Sequence, residues 1–211
     1  MRCIIFDLDG TLLDTSIGIF ECIRYAADKL GYPPLTDEQL HTFIGPPLKV
    51  SFMRWYGCDE AEGERLTAAY REHYREGALF HARPYDGIHD LCARLKQEGY
   101  ILAVATSKPQ IYSEKILEHF GFDFQLIHGD DLAGSLSKAD LIRLCVEESG
   151  ADRCLMVGDT EHDAKGARDA GVPFLAVSYG FGNRELMDRY PRIGIADEPM
   201  DVLSYIGDLK L

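Results

Sequence analysis

Apolar residues along the 211-residue chain fall into two rhythms. Short continuous runs stand at Ile4-Ile5-Phe6, at 100–105 (YILAVA), 124–128, 154–157 (CLMV) and 173–177 (PFLAV), with a briefer piece at 193–196. Runs of that length, bounded by polar residues and by glycine or proline, read as buried strands. Between them the apolar positions recur every three or four residues, the spacing of one helix face. This spacing predicts helices over 86–98, 109–120, 138–149, 161–171 and 199–206. Pro109 would sit in the first turn of its helix, where a missing N–H costs nothing.

Residues 16–79 break this alternation, because nothing there reads as a strand. Ile19, Phe20, Ile23, Ala26, Ala27 and Leu30 predict a long helix, stopped by Gly31 and Pro33-Pro34. Thr36-Asp37-Glu38 has the form of a capped helix start, and Gly45-Pro46-Pro47 breaks the chain before helical tracts at 48–56 and 59–76. Strands buried on both faces and alternating with helices predict a mostly parallel sheet. The expected fold class is α/β, with a Rossmann-like doubly wound sheet in a core domain of 1–14 and 81–211. An all-helical cap of 15–80 is expected as an insertion.

Composition narrows the function. Hydrophobic residues make up 46% and charged residues 27%, and the formal net charge is −13. With no Lys/Arg-rich run to neutralise phosphates, nucleic acid is not the expected partner. No apolar stretch approaches the roughly 20 residues that span a bilayer, and Asp7 and Asp9 interrupt the only run near the N-terminus that could resemble a signal peptide. A cytoplasmic protein without membrane contact is expected, a monomer by default with a dimer left open. Six scattered cysteines without a CxxC pair argue against a zinc or redox motif and for reduced structural thiols.

Ligands of open α/β sheets bind beyond the carboxyl ends of the strands, and those ends carry the chemistry. Asp7 and Asp9 follow the first strand, and Thr106, Ser107 and Lys108 follow YILAVA. Gly158-Asp159-Thr160-Glu161-His162-Asp163 follows CLMV, and Lys138 opens a helix. Carboxylates converging from two strands are tolerable around a hard divalent cation, so Asp7, Asp159 and Asp163 are candidate Mg²⁺ ligands. Thr106 and Ser107 can donate to phosphoryl oxygens, and Lys138 adds a positive charge on the phosphate. Gly10 permits a tight turn just past the strand.

DLDGT, the Thr-Ser pair, the helix-opening lysine and GDTEHD (GDxxxD) occur in the order, and around the helical insertion, that resembles the haloacid dehalogenase-like hydrolase superfamily. FIGPPL, ATSKP and SYGFG are similar to its phosphoglycolate phosphatase and 5′-nucleotidase-like branch. The resemblance implies a Mg²⁺-dependent phosphatase acting on a phosphorylated small metabolite. It makes Asp7 the nucleophile that forms an aspartyl-phosphate. Asp9 becomes the acid and base, its backbone carbonyl also binding the metal, and Thr11 a supporting hydrogen-bonding group. The presence of Asp9 separates the chain from haloalkanoate dehalogenases. A phosphomutase of the same superfamily is the nearer alternative; a receiver-like phosphorylation module is the remoter one, at about half the length and without a cap.

Other groups have plainer readings. His162-Asp163 and His89-Asp90 lack the convergent histidines of a His/Asp metal phosphohydrolase, and their histidines read as solvated surface. Phe52, Trp55, Tyr56, Tyr70 and Tyr74 read as cap core, and Lys49, Arg54 and Arg83 as candidates for substrate contact. Lys108 is left between a site role and a surface role.

Overall fold

In the computed structural model, residues 1–131 and 134–208 are described. The chain forms β1 (Arg2–Phe6) and a two-residue strand β2 (Leu13–Asp14), then helices α1 (Ser16–Lys29), α2 (Asp37–His41), α3 (Leu48–Tyr56) and α4 (Glu60–Arg75). A 3-10 turn (Ala78–Phe80) leads to β3 (Arg83–Pro84). Strands and helices then alternate as α5 (Ile88–Gln97), β4 (Tyr100–Pro109), α6 (Gln110–His119), β5 (Leu126–Asp130), α7 (Lys138–Ser149), β6 (Arg153–Gly158), α8 (Glu161–Ala170) and β7 (Phe174–Val177). A short α9 (Arg184–Met187), β8 (Gly194–Ala196), a 3-10 turn (Pro199–Asp201) and α10 (Val202–Asp208) follow.

Two compact units result, one of Met1–Asp14 with Arg83–Leu211 and one of Thr15–Ala82. In the first, six strands form one sheet in the order β5-β4-β1-β6-β7-β8, with every neighbouring pair parallel. Alternation along β1 splits its side chains between the two faces. Cys3 and Ile5 join a core with Leu141, Ile142 and Cys145 of α7 and Ala164 and Ala167 of α8. Ile4 and Phe6, also fully buried, serve the opposite face, where Phe124 meets Phe6 edge-on at 6.1 Å. Crossovers run outward from β1 through β4 to β5, then return to β6 and run outward on the other side. The order therefore reverses between β1 and β6, the place where open α/β sheets present a crevice.

The second unit is helical throughout. Ile23, Ala26, Leu40, Phe52 and Leu66 are fully buried within it. Thr36 and Gln39 form a reciprocal capping box at α2, satisfying two donors of the helix start. Phe52, Tyr70 and Tyr74 are buried, while Trp55 and Tyr56 are half-buried, with the Trp55 indole donating to Thr42 Oγ1 at 2.7 Å.

Several expected boundaries move. β4 was expected to end at 105 but continues to Pro109, with a register shift between Thr106 and Pro109. Pro109 therefore stands at the N-cap of α6, not in its first turn. The strand expected at 124–128 begins at Leu126, because Phe124 packs on Phe6 and the Gln125 side chain accepts from the Leu102 amide at 3.0 Å. The pair β2–β3 has no periodic signal at two residues each and is a feature the pattern does not reveal. All six cysteines are free thiols. Among the described residues no helix is long and apolar enough to cross a membrane.

Candidate active site

Asp7 follows β1 directly, its amide donating to the Val157 carbonyl of β6 at 2.9 Å. This bond carries the β1–β6 pairing to the reversal of strand order. Residues 8–13 then form a tight loop, in which the amides of Thr11, Leu12 and Leu13 all donate to the Leu8 carbonyl. Gly10 sits in this loop at φ 82°, a conformation side-chain-bearing residues avoid. A Cβ there would also overlap Asp159 and the Phe181 ring.

Asp159, just past β6, is fully buried and accepts from Thr11 Oγ1 at 3.2 Å and from the Phe181 amide at 2.7 Å. Asp163 sits one turn into α8. Its Oδ2 accepts from the Thr160 amide and hydroxyl at 3.0 and 2.7 Å, closing a capping box. Asp7, Asp159 and Asp163 each offer an oxygen within 4.8 Å of the others, all three residues buried. Lys138, the first residue of α7, reaches Asp7 Oδ1 and Asp163 Oδ1 at 2.7 Å each and donates to the Ala105 carbonyl at 3.0 Å. Gly166 makes room for it, since a Cβ on α8 would collide with the lysine stem.

The electrostatics follow from burial. Desolvation is the largest influence on Asp7 and pushes its pKa up to about 7. Lys138 works against that rise, while Asp163 and Asp9 add to it. Asp159 is raised well above the ordinary carboxylate range by burial, then by Asp163 and Asp7. Burial also disfavours the charge on Lys138, but Asp163 and Asp7 outweigh it and hold the ammonium above its usual pKa. Three buried carboxylates against one ammonium leave negative charge uncompensated, and all their donor atoms are hard oxygens. A small divalent cation such as Mg²⁺ fits that donor set.

Asp9 lies outside this trio. Its carboxylate faces Lys108, whose Nζ donates to Oδ1 at 2.9 Å and Oδ2 at 3.0 Å. Thr106 is buried and accepts from the Lys108 amide through Oγ1 at 3.2 Å, whereas Ser107 is exposed at the same strand end. Arg83 pairs with Asp14 at 3.2 Å and Lys49 with Glu60 and Glu64 at 2.8 and 3.0 Å, so both have acidic partners. His89 and His162 are exposed, and the carboxylate trio includes no histidine.

Sequence reasoning noted SYGFG after β7 only as a resemblance and gave it no role in the site. Besides the Phe181 amide, the Tyr179 hydroxyl donates to the Thr11 carbonyl at 3.2 Å, and Tyr85 packs on the Tyr179 ring at 4.7 Å. At Gly182 a Cβ would run into the Asp159 carbonyl. The glycines flanking Phe181 in SYGFG were the available signal for so close an approach.

A family model described as haloacid dehalogenase-like hydrolase matches residues 4–177. A 5′-nucleotidase of Pseudomonas aeruginosa is 42% identical over 187 residues, 86% of this chain and 85% of that protein. A phosphoglycolate phosphatase of Agrobacterium fabrum is 32% identical over 203 residues, 92% of this chain and 87% of that one. The solved structure of Mycobacterium tuberculosis protein tyrosine kinase A superposes with a TM-score of 0.84 at 32% identity, covering 97% of each chain.

Proposed function

This chain belongs to the haloacid dehalogenase-like hydrolase family, and we propose that it is a Mg²⁺-dependent phosphatase that carries the phosphoryl group of a small metabolite on Asp7. The observation that bears most weight is Lys138 bridging Asp7 and Asp163, with Asp159 beside them, where the strand order reverses. Asp7, Asp159, Asp163 and the Asp9 carbonyl would hold Mg²⁺. When bound, the ion neutralises phosphoryl charge and lets Asp7 approach an anionic phosphorus.

The chain's own groups supply the rest. An Asp7 oxygen forms a bond to phosphorus as the ester's P–O bond breaks, and Asp9 gives its proton to the departing alcohol oxygen. Asp9 then takes a proton from water as that water displaces Asp7 from phosphorus. Inorganic phosphate leaves, and both aspartates are restored. Lys138, Thr106 and Ser107 hold the phosphoryl oxygens, and Thr11 fixes Asp159. The helical unit 15–82 serves as the cap that selects the substrate. Nucleoside 5′-monophosphates and phosphoglycolate are the first substrates to assay, on the strength of the relatives named above. The kinase-named neighbour favours a second reading, in which a protein hydroxyl replaces water as the acceptor from Asp7.

Phosphate release from AMP and phosphoglycolate, with Mg²⁺ and with EDTA, tests the proposal. Wild type should release phosphate only with Mg²⁺, and Asp7→Asn should not. Turnover by Asp7→Asn at the wild-type rate removes Asp7 as nucleophile. Phosphate carried to a protein hydroxyl, stable where an aspartyl-phosphate hydrolyses, favours the kinase-like reading, whereas a long-lived adduct on Asp7 without release favours the receiver-like module.

A further inference from the structure

We propose that Lys108 is a positioning residue for the acid–base step, holding the Asp9 carboxyl group at the place from which it exchanges its proton. This rests on the phosphatase reading and on the role given there to Asp9.

The geometry around the pair is built, not incidental. Asp9 follows a strand end and is only half-buried, so its side chain would ordinarily sample several rotamers. Lys108 contacts both carboxylate oxygens, at 2.9 and 3.0 Å, which fixes the carboxyl plane as well as its position. The lysine side chain is itself only 6% exposed. Its backbone is pinned at both its amide and its carbonyl. The amide donates to Thr106 Oγ1, the carbonyl accepts from Ser113 Oγ at 3.2 Å, and Gly129 leaves room for that carbonyl where a Cβ would press to 2.7 Å. The register shift of β4 between Thr106 and Pro109 spans Ser107 and this residue. A buried lysine on an irregular stretch, aimed at a partner 99 residues away, gives the sheet little stability that an apolar side chain would not. It does give Asp9 a fixed place while the proton passes first to the leaving oxygen and later from water.

Leaving groups separate this role from a merely structural one. p-Nitrophenolate departs without a proton, whereas the alkoxides of AMP and phosphoglycolate need one. kcat/KM should be measured with Mg²⁺ for wild type, Asp9→Asn, Lys108→Met, Lys108→Gln and Lys108→Arg, on p-nitrophenyl phosphate and on the better of the two alkyl esters. The Met and Gln variants should lose about tenfold or more on the alkyl ester, part of the roughly 10²–10⁴-fold that acid–base catalysis contributes, and no more than about threefold on p-nitrophenyl phosphate. Arg should recover most of the loss. Equal losses on both esters, or none, overturn the proposal, and using two neutral variants prevents a folding defect in one from deciding the matter. An Asp9→Asn enzyme that loses the alkyl ester selectively while both neutral Lys108 variants do not sinks Lys108 alone. Wild type releasing no phosphate from any ester sinks the phosphatase reading itself.

Discussion

Lys138 Nζ stands 2.7 Å from Asp7 Oδ1 across 131 residues of chain, with both side chains less than a tenth exposed. The same ammonium reaches Asp163, so one cation serves two buried anions. Removing it leaves carboxylates with neither water nor counter-charge.

Lys138→Met should therefore cost stability as well as activity. Breaking a buried ion pair from one side costs about 3–5 kcal/mol. Thermal denaturation in EDTA should show a clear drop in Tm, and millimolar Mg²⁺ should recover part of it by replacing the missing positive charge. An unchanged Tm in EDTA would mean that the three carboxylates are not crowded.

The raised carboxylates also set a pH dependence. Burial holds Asp7 up at about 7, against about 3.9 for an aspartate in the unfolded chain. Between those values the native state binds more protons than the unfolded one, so unfolding free energy falls as pH rises. In EDTA, Tm should fall from about pH 5 to about pH 7.5, and saturating Mg²⁺ should flatten that slope by binding the ionised form. Asp7→Asn should flatten part of it without metal, the share of Asp159 remaining. A wild-type Tm that climbs through this window contradicts the assignment.

Gly182 lies against the backbone of Asp159 with no space for a methyl group. Gly182→Ala should push the loop away and take the Phe181 amide off Asp159 Oδ2. Overpacking of this kind costs about 1–3 kcal/mol, and losing a hydrogen bond that orients a ligand weakens metal binding by about 10–100-fold. Calorimetric titration with Mg²⁺ measures the second effect directly. Unaltered Mg²⁺ affinity would show that the loop does not orient Asp159.

In the helical unit, Glu21 accepts from His81 Nδ1 at 2.6 Å and His73 Nε2 at 2.7 Å. The His81 and then the His73 hydrogen bond hold its carboxyl below the usual range. That contribution is present above the ordinary glutamate pKa and is lost as pH falls through the depressed one. At neutral pH, Glu21→Gln should lower amide-exchange protection in α1 by about 1 kcal/mol, discounted for partial exposure. The difference from wild type should vanish once the pH has fallen below the depressed pKa of Glu21. A difference that persists there would assign the effect to packing.

The parts of the site readable from sequence are those a sheet must place. Asp7 and Asp159 follow apolar runs, and parallel strands side by side bring the ends of such runs together whatever lies between them. Lys138 and Asp163 open helices that return to the same edge. The Lys108–Asp9 contact was not readable, because it depends on a register shift inside β4 that alternation cannot anticipate. The Phe181 donor was hidden for a different reason: it is a backbone amide, and any residue could have supplied it. β2 and β3 are too short for a period to register at all.

That short ladder has a further consequence. Leu13 and Asp14 pair with Pro84 and Arg83, so the chain leaves the sheet unit and re-enters it at adjoining points. The 68 residues of Thr15–Ala82 are thus closed off by a two-stranded clasp that belongs to the first unit and not to the helices. A graft spliced at the clasp, longer or shorter, changes the loop-closure cost only logarithmically. One helical insertion could therefore be exchanged for another while the aspartates at the strand ends keep their places.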